Sequence, residues 1–199
     1  MMITVSDLRA ASLRLRDAME TEADALNTAD GALGDGDLGV TLRRGSAAVA
    51  EKAPDLPEDF GMALMGCAQA FTKVSSSSYG TLLATGLMAA AKETRGRDGI
   101  TPDDIPALLT VAIDKMMARG KAQLGGKTVL DSLAAIAQGL EAADDPTAAA
   151  VRAAEEAQTL FRDKPATIGR ARIFAEKSVG LDDPGMLAMT KIVTALVAR

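Results

Sequence analysis

The stretch "LRAASLRLRDAMETEADAL", residues 8–26, places Leu8, Ala11, Leu15, Met19, Ala23 and Leu26 at intervals of three and four. That spacing gathers the apolar side chains on one helical face and leaves the charged ones on the other, as a core-facing amphipathic helix requires. Ser6 is the expected N-cap. The same period returns down the chain and predicts helices over residues 38–52, 58–73 and 79–93. A fifth is expected from a Thr101 cap, with Pro102 in its first turn, to about Arg119, and a sixth over 128–143. A seventh opens at "DDP" (144–146), and the last opens at Asp183-Pro184. No segment alternates as a strand would. Aromatic residues make up only 3% of the sequence, so the core must come from Ala, Leu, Val, Ile and Met, which suits packed helices better than a sheet. The expectation is an all-α single domain over residues 1–199, with eight helices joined by short connections and mostly antiparallel neighbours.

Charge and residue usage narrow the function. The net charge is −5 with no basic run, which argues against a nucleic-acid surface. No stretch approaches the length of a membrane span, and the first residues, "MMITVSDLRA", hold no signal-peptide core. Cys67, the single cysteine, falls inside an apolar periodic segment, reads as a small buried hydrophobe, and points to the cytoplasm. Histidine is absent. That removes a Ser-His-Asp triad, a Cys-His pair and a His-based zinc site within the chain. Any chemistry must rest on carboxylates, hydroxyls, Lys, Arg or a bound metal.

Directly after the first helical face comes "DGALGDGDLG", residues 30–39, with three aspartates and four glycines in ten positions. Like charges this close repel one another, and a cation would relieve them. Carboxylate oxygens suit Mg²⁺ or Ca²⁺ rather than zinc or copper. An EF-hand fails on spacing: counted from Asp35, its fifth and twelfth positions are Gly39 and Ser46, where an oxygen ligand and a glutamate are needed. Magnesium, which shares its shell with water and substrate phosphates, fits better. The bland alternative is an acidic turn between two helices. "GGKT" at 125–128 resembles a P-loop but has Lys121 where the first glycine belongs, and a helical segment before it. It remains a glycine turn that opens a helix. "KVSSSSYGT" at 73–81 is a hydroxyl-rich cap or a polar contact surface, and the irregular stretch 168–185 offers Arg170 to neutralise phosphate and Asp183 to contact a ribose or cap the last helix.

Taken together, "DGALGDGDLG", "SSYGT", "RGKAQLGGKT" and "GRARIFAEKSVGLDDPG" resemble the nucleotide-binding L subunit of dihydroxyacetone kinase, in order and separation along nearly the whole chain. The resemblance implies an eight-helix antiparallel barrel with the nucleotide in loops at one end. It implies ATP or ADP with two Mg²⁺ ions held by Asp30, Asp35 and Asp37. Nucleotide contacts are implied at Leu38, Gly39, Val40, Thr41, Ser75, Ser76, Gly120, Val129, Arg170, Asp183, Pro184 and Gly185. The implied role is a kinase subunit of glycerol metabolism that phosphorylates dihydroxyacetone or a related small ketose held by a partner K-type subunit. The phosphoryl donor is ATP, or an M-type phosphoryl-carrier protein that recharges bound ADP; a homodimer is left open.

The sequence departs from that family at three places. Leu38 stands where the family usually has His or Cys, serines replace glycines before residue 79, and Gly126 replaces an Asp. Two other readings therefore stay in view: a non-catalytic nucleotide sensor or scaffold that docks a regulator, and an all-helical Mg-dependent nucleotide hydrolase.

Overall fold

The computed structural model describes residues 2–75 and 77–198. Eight α-helices account for most of them: α1 (Val5–Leu33), α2 (Leu38–Lys52), α3 (Phe60–Val74), α4 (Ser78–Glu93), α5 (Ile105–Gly120), α6 (Val129–Leu140), α7 (Pro146–Arg162) and α8 (Pro184–Val197). Each helix packs on its sequence neighbours, and α8 closes the ring against α1. The result is the all-α antiparallel barrel. The connections 34–37, 121–128 and 163–183 fall at one end, together with the C-terminus of α3 and the N-termini of α2, α4, α6 and α8.

The core follows from the composition. Alanine, leucine and methionine side chains such as Met19, Leu26, Ala63, Ala68, Met116, Leu130, Ala154, Met186 and Ala188 are fully enclosed, and Phe60 and Phe71 supply much of the aromatic volume. With few bulky residues the helices approach closely. The tightest approach is at Gly39 in the first turn of α2, where an added Cβ would lie 1.9 Å from the Ala23 carbonyl oxygen of α1. Only glycine fits there, and this contact fixes how the aspartate loop leaves α1.

Two details differ from the sequence expectation. A short antiparallel pair, β1 (Ile3–Thr4) with β2 (Gly99–Ile100), ties the N-terminus to the turn before α5. That pairing moves the start of α1 forward, so Thr4 and not Ser6 is the N-cap. Thr4 forms a capping box with Asp7, whose carboxylate accepts from the Thr4 amide at 2.8 Å. Helix α6 also stops at Leu140, short of residue 143, and Ala142 takes a positive φ of 55°. Thr101 is a cap as expected, but of a 3-10 turn, Pro102–Asp104, that leads into α5: its hydroxyl and amide both donate to Asp104, which is itself the N-cap position of α5.

Candidate functional site

Asp30 lies in the last turn of α1, Asp35 in the following loop, and Asp37 at the N-cap position of α2. One ligand oxygen from each falls within 4.8 Å of the others. The local chemistry explains the geometry. At this end of the barrel α4, α6 and α8 are capped by their own N-cap side chains, Ser77, Thr128 and Asp183. Helix α2 is not: the Asp37 side chain makes no cap hydrogen bond. Its free amides are met from α1 instead, by Asp30 Oδ2 (Asp37 N at 3.0 Å, Leu38 N at 3.3 Å) and by Asn27 Oδ1 (Val40 N at 3.2 Å). The Asp37 carboxylate is thereby left for another partner. Gly36 turns the loop with φ +77°, in the left-handed region glycine tolerates.

Electrostatics mark the cluster as unfinished. Burial, then the charges of Asp35 and Asp30, push the Asp37 carboxyl above its usual range, and Arg170 offsets this in part. Arg170 itself pairs with Asp35. Asp37, Val40, Thr41, Ser75 and Arg170, joined by Arg44, Val74 and Ser77, line one cleft of about 240 Å³. Ser75 Oγ is buried there without a hydrogen-bond partner. A buried orphan hydroxyl is costly unless something completes it. Three hard carboxylates, an unpaired hydroxyl and a guanidinium form a donor set that fits magnesium with a phosphate group.

The other expected residues among those described do not line this cleft. Leu38 and Val129 point into the core, so only their backbones could reach a ligand. Gly39 presses on α1. Gly120 closes α5 beside Leu82. Asp183 caps α8 through the Met186 amide at 2.9 Å, and burial pushes its pKa up to about 7, with the Asp131 charge adding to the rise. Pro184 is enclosed in the first turn of α8, and the Gly185 carbonyl accepts from the half-buried Tyr79 hydroxyl at 3.1 Å. Ser76 lies outside the described residues.

Lys127 is the residue the sequence reading passed over. It is fully buried, with φ +62°, and its ammonium donates to the carbonyls of Arg162 (2.9 Å), Lys164 (2.9 Å) and Ser178 (2.7 Å). Burial pulls its pKa down, opposed by the charges of Asp183 and Asp182. The only hint in the sequence is a lysine set between a glycine turn and a helix cap. Beside it, Ile168 packs over Gly126, where an added Cβ would lie 2.8 Å from the isoleucine side chain. Glycine in place of the family's acidic residue is thus matched by an apolar neighbour.

Residues 32–198 match the family model described as the DAK2 domain. The chain belongs to the DAK2-domain family. It is 30% identical to an Escherichia coli protein named the ADP-binding subunit DhaL of PEP-dependent dihydroxyacetone kinase, over 86% of either chain. It is 32% identical to the L-erythrulose 1-kinase of Mycolicibacterium smegmatis over 89% of this chain, spanning 32% of that longer protein. Among solved structures, the dihydroxyacetone kinase of C. freundii in complex with AMP-PNP and Mg²⁺ shares the fold, with a TM-score of 0.75 at 23% identity, over 95% of this chain and 33% of that one. Among the described residues no helix is long and apolar enough to cross a membrane.

Proposed function

We propose that residues 1–199 form one cytoplasmic nucleotide-binding domain that holds ATP or ADP with two Mg²⁺ ions and serves as the phosphoryl-transfer subunit of a small-ketose kinase. The observation that carries this reading is the convergence of Asp30, Asp35 and Asp37 beside a cleft whose wall contains a buried, unpaired Ser75 hydroxyl. Two divalent ions would neutralise the three carboxylates and leave charge over to draw a polyphosphate, which is most of what phosphoryl transfer needs. In this reading Asp30, Asp35 and Asp37 hold the metal. Ser75 donates to a phosphate oxygen, and Arg170 exchanges Asp35 for phosphate charge. The backbone of Leu38 to Thr41 presents the N-terminus of α2 to the same group. Ser76, Gly120, Val129 and Asp183 to Gly185 would border the rest of the nucleotide.

The chain has no histidine, and the ketose is assigned to a partner K-type subunit. Relatives named for dihydroxyacetone and for L-erythrulose support a three- or four-carbon acceptor. A relative named both PEP-dependent and ADP-binding supports ADP kept as a bound cofactor and recharged by an M-type phosphoryl carrier.

Calorimetric titration with ADP and Mg²⁺ tests the proposal. Binding to the native chain, lost in Asp35→Asn/Asp37→Asn with the helical circular dichroism unchanged, is the expected result. No binding by the native chain, or undiminished binding by the double variant, would overturn it. Turnover with ATP, dihydroxyacetone and a K-type subunit distinguishes the kinase from a sensor, and phosphate release without that subunit would favour a hydrolase.

A further inference from the structure

Segment 163–183 connects α7 to α8 and carries Arg170 to the aspartate loop, yet it has little core of its own. Its buried apolar contacts reduce to Ala166 and Ala171, packed with Phe174 against Leu33 at the end of α1, while Ile173 is 74% exposed. Apolar burial this small does not hold a twenty-one-residue segment in one conformation. Polar bonds at its two feet do the holding. The Gly180 amide donates to the Arg162 carbonyl at 2.9 Å, and Arg162 forks onto Asp182 at 2.7 and 3.1 Å. The Ser178 hydroxyl accepts from the Ala166 amide at 2.7 Å and donates to the Ala175 carbonyl. At the centre sits the Lys127 ammonium, bonded to carbonyls from both feet.

We propose that Lys127 is a positioning residue: its ammonium clamps residues 162–164 to residue 178, closing the intervening chain into a loop that presents Arg170 to Asp35 and, in the nucleotide-bound protein, to phosphate. Three observations support the assignment. All three donors of the ammonium are met by backbone carbonyls, so the charge does not serve a side-chain pair. Those carbonyls lie 35, 37 and 51 residues away in sequence, so the bonds act on the long segment and not on the turn that carries Lys127. The lysine also sits in the left-handed backbone region at φ +62°, a conformation that persists in a β-carbon-bearing residue only where its surroundings hold it. The turn is docked on the same segment from below, through the Thr167 amide to the Gly126 carbonyl (3.2 Å) and Ile168 over Gly126. A buried charge removed from water for general stability alone would be replaced at little loss by an apolar side chain. Here its geometry is that of a three-point staple.

The second half of the proposal rests on the nucleotide reading; the first half does not, and the test separates them. Limited trypsin digestion of the full chain without ligand probes the clamp at Arg170, Arg172 and Lys177. In Lys127→Met, cleavage at these three sites should accelerate about tenfold while the helices stay resistant. Ser178→Ala, which weakens the same feet and leaves the lysine in place, should show the same pattern to a smaller extent and covers the case in which Lys127→Met fails to fold. Native-rate cleavage in both variants would overturn the clamp. For positioning, Mg-ADP titrations of Lys127→Met, Arg170→Ala and the double variant form a cycle. Each single change should weaken binding about tenfold, and the double should be no more than about twofold weaker than the worse single. If Arg170→Ala loses as much in the Lys127→Met background as in the native one, Lys127 does not act through Arg170. If the native chain binds no Mg-ADP, the nucleotide reading falls and the digestion still decides the clamp.

Discussion

The two ends of the barrel use the same residue type in opposite ways. At the end away from the cleft, aspartates are completed by the protein. Asp7 caps α1 with Thr4, Asp59 accepts from the Met62 and Gly96 amides at 2.8 and 2.7 Å, and Asp104 takes Thr101 and the Arg97 guanidinium. Each carboxyl is held below its usual range, Asp104 down to about 2 chiefly through its Arg97 hydrogen bond. At the cleft end, Asp37 and Asp183 are pushed up, chiefly by burial. Asp182, forked by Arg162, is the exception there. The three carboxylates at the far end stabilise the folded chain, and at the cleft end Asp183, although raised, is completed by capping α8. Asp37, raised and without a cap hydrogen bond, is the one retained against stability and the one that awaits a ligand.

The largest expected effect breaks the geometry under the cleft. Gly39→Ala forces a methyl group into the Ala23 carbonyl. It should cost about 3 kcal/mol and lower Tm by about 6–12 °C, with Mg-ADP binding lost, as calorimetric melting and titration would show. Next, Mg-ADP at about a hundredfold excess over its Kd should stabilise the native chain by about 2.7 kcal/mol. It should leave Asp37→Asn unmoved in the same thermal scan.

Without metal, in EDTA, the two ends should respond with opposite signs. Asp37→Asn relieves a repelled carboxylate and should raise Tm by about 2–4 °C, whereas Asp104→Asn breaks a completed one and should lower Tm by no more than that. The same sign in both would undo the comparison. The smallest effect is its pH dependence. Asp104 titrates at about 2 when folded against 3.8 when unfolded, so its contribution is present above 3.8 and lost as pH falls toward 2. The Tm gap between the native chain and Asp104→Asn should therefore close over that interval and stay constant from pH 5 to 7.

Much of the fold was legible because helical period and caps are local. The face from Leu8 to Leu26, the Thr101 cap and the Asp183-Pro184 start are each set by a few neighbouring residues. The aspartate loop was legible for the same reason, since its three carboxylates lie within eight residues. What was hidden depends on distant partners. Pairing of Ile3 with Ile100 moved the first cap to Thr4. The Lys127 staple needs carbonyls from another connection. Leu38, on a residue-by-residue reading a ligand contact, turns its side chain into the core, because the first turn of α2 is drawn against α1 at Gly39.

The central claim meets its most direct test in a crystal grown with Mn²⁺ and ADP, read by anomalous scattering. Two anomalous peaks should appear among Asp30, Asp35 and Asp37, at about 2.1–2.2 Å from their oxygens, with Arg170 withdrawn from Asp35 toward phosphate. Nucleotide bound elsewhere, or bound with those oxygens free of metal and Arg170 still on Asp35, would contradict it.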